Sequence, residues 1–166
     1  MLWAWAALCA GPQGSEEIDP LDKAPKAVVD AVKKRFKEAE LKGASKEMEK
    51  DKLVYEITIK HKGQNIDVTV TPEGEIIMLE KEIAAKQLPK PVSKVLGEKF
   101  AQAKYKIIEE IIQVDKKKEK LLYYEVLLEL PDKKRLEVKI AADGKITKEE
   151  DEDAEKEKEE HGKSAP

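Results

Sequence analysis

Cysteine occurs once in the 166 residues, at Cys9, and histidine twice, at His61 and His161. A single thiol excludes an intrachain disulfide framework, and two histidines leave little material for a metal site. Aromatic residues make up 5% of the chain, so a core has to be built from Val, Ile and Leu. No apolar run approaches the ~20 residues of a membrane-spanning helix. Positive charge is not in excess: 32 Lys and Arg against 35 Asp and Glu give a net charge of −3, which argues against a nucleic-acid partner. The sequence has no Gly-rich phosphate loop and no metal-ligand spacing. His61 falls at a hairpin tip and His161 in the C-terminal charge run, neither with an oriented partner for nucleophilic catalysis. The chain is therefore expected to be no enzyme and to use no cofactor and no metal.

What the sequence does have begins with two unlike ends. Met1 to Ala10 is apolar and uncharged, and small residues follow it before Glu16 and Glu17. This is the pattern of the second half of a secretory signal peptide without its basic start. Ala7 and Cys9 suit a cut after Cys9, whereas a cut after Ala10 would place Leu8 at the inner small-residue position. Residues 1–19 are thus expected to be a truncated leader and linker, and the mature protein to be periplasmic or secreted. At the other end, residues 148–166 carry nine acids and four lysines, with Ala154 and Ala165 as the hydrophobic residues. Such a segment cannot offset its ordering entropy by burial and is expected to be a disordered charged tail.

Between the ends the chain repeats itself. Ala24-Pro-Lys-Ala-Val28 answers Leu88-Pro-Lys-Pro-Val92, and Phe36 and Ala39 answer Phe100 and Ala103, at an offset of 64. Tyr55-Glu-Ile57 answers Tyr124-Glu-Val126 at 69, and Ile66–Val70 and Gly74 answer Leu136–Ile140 and Gly144 at 70. Two repeats are expected, over 20–83 and 84–147. Each opens with a helix, because Val28, Val32, Phe36 and Ala39, and then Val92, Leu96, Phe100 and Ala103, recur at three- and four-residue steps and form one apolar stripe. Pro25, Pro89 and Pro91 suit helix starts, where a missing N–H costs little. Gly97 weakens the second helix by about 1 kcal/mol relative to Ala and points to a close approach between helix and sheet.

Strands follow the helices. Leu53, Tyr55, Ile57 and Ile59 share one face of a strand, and Val54, Glu56, Thr58 and Lys60 the other. Ile66, Val68 and Val70 alternate in the same way, and Glu75 to Leu79 forms a further strand. The second repeat has Leu122–Leu130, Arg135–Ile140 and Lys145–Thr147. The short connections make neighbouring strands antiparallel. The four isoleucines between Tyr105 and Val114 fit a helix as well as a strand; the repeat and their β-branching favour a strand. Tyr55 and Tyr124 fall on the buried phase, which turns Glu56 and Glu125 outward. Asp143-Gly144-Lys145 reads as a tight turn rather than a metal loop.

Leu88-Pro89-Lys90-Pro91-Val92, Phe100, Tyr124-Glu125-Val126 and Asp143-Gly144-Lys145-Ile146 together resemble the PepSY-like, β-lactamase-inhibitor-like family. The first copy keeps Pro25, Val28, Phe36, Tyr55-Glu56-Ile57 and Gly74 but has Ala24 for leucine and Glu73 for aspartate, so its match is looser. The resemblance spans about residues 20–147 and implies an α+β fold: a tandem repeat of a helix followed by antiparallel strands, in a two-layer α/β sandwich similar to the β-lactamase inhibitory protein. It further implies an exported bacterial module that binds or inhibits peptidases or other envelope proteins.

The outward phase of the second repeat is less polar than a solvated face requires. Leu121, Tyr123 and Leu127 share it with Glu125 and Glu129, and an exposed apolar sheet face marks a partner surface. A covering loop or tail, or a second chain, would explain the same pattern. The expected function is a non-catalytic extracytoplasmic module that binds or inhibits a secreted or envelope protein such as a peptidase. The alternative is a structural, scaffolding envelope protein with no single protein target. On this reading, Tyr123→Ala combined with Leu127→Ala leaves thermal stability nearly unchanged and weakens partner capture.

Overall fold

Two ten-residue helices of matching pattern organise the chain. The computed structural model describes residues 16–17, 24–49, 51–116 and 118–151; the apolar leader and most of the acidic tail lie outside them. In chain order the elements are β1 (Glu16–Glu17), α1 (Lys26–Arg35), β2 (Glu40–Glu49), β3 (Lys52–His61), β4 (Gln64–Val70), β5 (Ile76–Glu82), a single 3-10 turn (Ala85–Gln87), α2 (Lys90–Lys99), β6 (Lys104–Asp115), β7 (Lys118–Glu129), β8 (Arg135–Ile140) and β9 (Ile146–Asp151). The fold class is α+β. The chain forms two units, one of the residues to Leu79 with Val114–Lys116, the other of Glu80–Gln113 with the residues from 117 on.

In the first unit, α1 starts at Pro25 and ends at Phe36, whose N–H donates to the Val32 carbonyl. Lys33, Lys34 and Arg35 fill its last turn, where cations offset the negative end of the helix dipole. Val28 and Val32 are completely buried and Phe36 nearly so. The sheet meets this stripe with a matching phase. Strands β3 and β4 pair antiparallel, with Tyr55 opposite Val70, Ile57 opposite Val68 and Ile59 opposite Ile66, and all six are buried. Lys62 and Gly63 both take positive φ between these strands, as a two-residue hairpin whose twist matches its strands requires.

Strand β2 pairs antiparallel with β3 along its whole length, with a bulge between Leu41 and Gly43. Of its residues only Ala44 is buried. The strand is polar on both phases, so period two does not reveal it. The two-residue β1 pairs with β2 through Glu16 opposite Lys46 and Glu17 opposite Ser45.

The second unit repeats this construction. Pro89 precedes α2 and Pro91 sits in its first turn, where the orphan N–H groups make proline harmless. Val92 and Leu96 are fully buried and pack with Tyr124, Val126 and Leu128 of β7 and Val138 and Ile140 of β8. Phe100 and Ala103, the last two residues of the predicted stripe, are half-buried against the same core. The isoleucine segment is a strand: β6 runs from Lys104 to Asp115 and contributes Ile108 to this core.

Two expectations need correcting. Gly97 is exposed and no atom lies within 4 Å of where its Cβ would be, so it marks no close approach. The charge run does not leave the fold at Lys148, because β9 continues to Asp151 and pairs with β8. Backbone pairing needs no apolar side chain, so a charged segment can still extend a sheet by its main chain.

The close approaches involve the turn glycines instead. Gly74 (φ 89°) and Gly144 (φ 91°) each end a turn whose N–H donates back, to Thr71 and to Ala141 respectively. A Cβ on Gly74 would lie 2.7 Å from the Ala27 carbonyl oxygen, and one on Gly144 would lie 2.8 Å from that of Pro91. Ala27 and Pro91 occupy the same place in the first turns of α1 and α2. Each unit therefore seats its helix on a bare backbone turn. Gly74→Ala and Gly144→Ala combine a left-handed backbone with this clash and should each cost about 2 kcal/mol or more. Gly63→Ala meets open space and should cost about 1 kcal/mol, the backbone strain alone. Thermal unfolding of the three variants checks the order.

Candidate partner-binding face

Strand β7 sorts its side chains by parity. Tyr124, Val126 and Leu128 point to the helix side and are buried in the core with α2. Burial, with Glu110 nearby, pushes the Tyr124 hydroxyl above the usual tyrosine range. Leu121, Tyr123, Glu125, Leu127 and Glu129 point to the other side. On β8, Arg135, Glu137 and Lys139 share this face, since Glu129 pairs with Arg135, Leu127 with Glu137 and Glu125 with Lys139. On β9 it carries Lys148 and Glu150, opposite Lys139 and Glu137.

The three apolar residues assigned to this face differ in environment. Leu121 is 36% exposed and Tyr123 half-buried, but Leu127 is only 6% exposed. Leu127→Ala therefore carries the cost of a core deletion, about 2–5 kcal/mol, and the expectation that the Tyr123/Leu127 double variant keeps its stability does not hold. The outward acids are corrected in the same way. Glu56 and Glu125 lie on the helix-free faces, as parity requires, yet are 8% and 7% exposed. Parity fixes the face of a side chain but not what its neighbours cover.

Burying these charges requires partners. Lys139, itself 7% exposed, places Nζ 3.1 Å from Glu125 Oε2 and 3.2 Å from Glu137 Oε1. The same ammonium lies 5.5 Å from the centroid of the Tyr123 ring, within cation–π range. One lysine thus serves two carboxylates. The geometry at Glu137 is imperfect: its Oε1 atom is buried and receives no aligned N–H, so the contact with Lys139 is charge attraction without a good hydrogen bond. Burial, and the neighbouring Glu125 and Glu150, push the Glu137 carboxyl up to about 7, against the opposing pull of Lys139.

The first unit has a fainter counterpart. On the helix-free face of β2 and β3, Glu47 lies opposite Val54 and Ser45 opposite Glu56. Burial raises the Glu47 carboxyl above its ordinary range despite the Ser45 hydroxyl that donates to it at 3.1 Å, and Glu49 and Asp67 add to the rise. His61, the one histidine among the described residues, packs edge-on against Phe36 with ring centroids 5.6 Å apart. Asp143 accepts the Lys145 N–H at 3.0 Å, which makes Asp143-Gly144-Lys145 an Asx-type turn. Among the described residues no group of three His, Cys, Asp or Glu could hold a metal ion, and no helix is long and apolar enough to cross a membrane.

The helix-on-strands unit around α1 resembles one domain family. Residues 24–74 match the PepSY family model, described as the peptidase propeptide and YPEB domain. The match covers 51 of the 166 residues. It falls within the first unit, from Ala24 to Gly74. Among curated proteins, none matches the sequence. Solved structures share the fold. A protein from Bacteroides eggerthii described as periplasmic superposes with a TM-score of 0.63 at 17% identity, covering 77% of this chain and 88% of its own. A DUF2874 family protein from Bacteroides uniformis gives 0.62 at 14% identity, with 77% and 89% covered. A protein from Bacteroides fragilis described as resembling the β-lactamase inhibitory protein gives 0.57 at 19%, with 77% and 86% covered. At these identities the likeness is one of fold.

Lys139 carries a direct test. Lys139→Ala leaves two buried carboxylates without their cation and should cost about 3 kcal/mol at neutral pH. The sign of the pH dependence follows from Glu137. Its folded-state carboxyl binds a proton more tightly than an unfolded one, so between about pH 4.5 and pH 7 its contribution falls as pH rises. The penalty of Lys139→Ala should therefore shrink on acidification through this window. Chemical denaturation of wild type and variant at about pH 5 and about pH 8 checks both the size and the direction.

Proposed function

We propose that the protein is a non-catalytic extracytoplasmic module that binds or inhibits a secreted or envelope protein such as a peptidase. The observation that carries this reading is the helix-free face of the second unit, where Leu121 is exposed and Tyr123 is held half-open over the Lys139 ammonium. A rigid aromatic beside an exposed aliphatic, set among fixed charges, has the makings of a protein-binding surface. Leu127 lies on the same face of β7 but is buried. The PepSY match and the periplasmic description of a structural neighbour support the setting. The second repeat is read as a further PepSY-like module, on the strength of its matching helix seat at Gly144, and residues 1–19 as a leader removed on export.

Affinity capture from periplasmic extract with the full chain tests the proposal. One partner at near-equal stoichiometry is expected, with retention reduced about tenfold or more in the Leu121→Ala/Tyr123→Ala variant, in keeping with the loss of an aromatic anchor. The variant's thermal unfolding should stay close to wild type. Diffuse enrichment that ignores these substitutions would instead favour a scaffolding protein without a single target.

A further inference from the structure

Strand β9 is the edge of its unit, with β8 as its neighbour among the described residues. Its rungs are unusual. On the helix-free face Glu137 stands directly opposite Glu150, and Lys139 directly opposite Lys148. Like charges at directly opposed positions weaken an antiparallel pair. The ion pairs compensate along the strands rather than between them: Lys139 pairs with Glu137 on β8, and Lys148 with Glu150 on β9. The attachments of β9 run along its length, with a register irregularity between Lys139 and Ile140 opposite its start. Ile146 packs against the core and the Thr147 hydroxyl donates to the Lys139 carbonyl at 3.1 Å. Further along, Glu149 reaches Lys99 at the end of α2, and the closing rungs set Glu150 against Glu137 and Asp151 against Leu136.

We propose that β9 is a proton-controlled edge strand, whose outer half stays paired with β8 while Glu137 is neutral and lets go when Glu137 is charged. The groups that face Glu137 are Lys139 and Arg135 on its own strand, Leu127, Glu125 and Glu129 on β7, and Glu150 and Lys148 on β9. Lys139 is shared with Glu125, so a charge on Glu137 is costly while β9 covers it, chiefly through burial and the neighbouring Glu125, with Glu150 across the rung adding a smaller repulsion. When the outer half of β9 leaves, Lys148 and Glu150 stay paired within it, and the Lys99–Glu149 ion pair, whose members already reach solvent, is given up. The proton leaves Glu137 near neutral pH, inside the range an extracytoplasmic protein meets. Departure of the strand would uncover the main-chain edge of β8, beside the face assigned to partner binding.

Amide hydrogen exchange on the full chain, followed by NMR between about pH 6 and pH 8 and corrected for the intrinsic pH dependence of exchange, tests this. The β8-facing amides among Glu149, Glu150 and Asp151 should lose protection about tenfold relative to those of β7 as the pH rises. In Glu137→Gln the protection should stay level, and Glu150→Gln, which removes a smaller part of the cost of charging Glu137, should leave a shallower fall. Protection that keeps pace with β7 across the range, or the same fall in both variants, overturns the proposal.

Discussion

A ten-residue helix is too short to persist alone in water, and a few antiparallel strands with one bare apolar face are little better. In each unit the two are made viable by one contact, an apolar helical stripe laid across strands of period two. Val28, Val32 and Phe36 serve the first unit and Val92, Leu96 and Phe100 the second. Each fully buried side chain of this kind contributes about 1.5–3 kcal/mol, so a few of them decide whether the unit folds. With aromatics so scarce, the opposing surface is built from β-branched residues, which lose little further freedom on a pleated strand. Tyr55 and Tyr124 provide the bulk that aliphatic side chains cannot.

This dependence explains what was legible in the sequence. The stripe and the alternation are periodic, so α1, α2, β3, β4, β7 and β8 can be read from spacing alone, as can the strand nature of the isoleucine segment once the repeat is recognised. Strand β2 was not legible in this way, because Ala44 is its one buried residue and its pairing is carried by main chain. The same holds for the extension of β9 into the charge run. On the helix-free face, parity placed Leu121, Tyr123, Glu125 and Leu127 on the right side of the sheet. It could not distinguish Leu121 from Leu127, because exposure depends on which neighbouring strand brings which side chain over the residue. The Glu125–Lys139–Glu137 arrangement was missed for a related reason: Glu125 lies twelve or more residues from the other two, and among so many acids and lysines no pair stands out.

A lysine enclosed between two glutamates is seldom the most stabilising way to fill a buried position, and an apolar replacement of similar volume for the whole set could hold the sheet as well. What the charged arrangement adds is direction. It fixes the Tyr123 ring from below, it commits Lys139 to this face, and it leaves one carboxylate oxygen poorly served. The helix side of the second unit is apolar, while the opposite side carries Glu137, whose charge changes near neutrality. One sheet thus separates a structural surface from a responsive one.

The seats beneath the two helices have a further consequence. What presses hardest on Gly74 and Gly144 is a peptide oxygen, with the Cβ of the same residue behind it. Trimming that residue leaves the oxygen in place. A second-site change that rescued a larger residue at either position would have to displace an entire helix from its strands, so intragenic suppressors of such a lesion should not arise at Ala27 or Pro91.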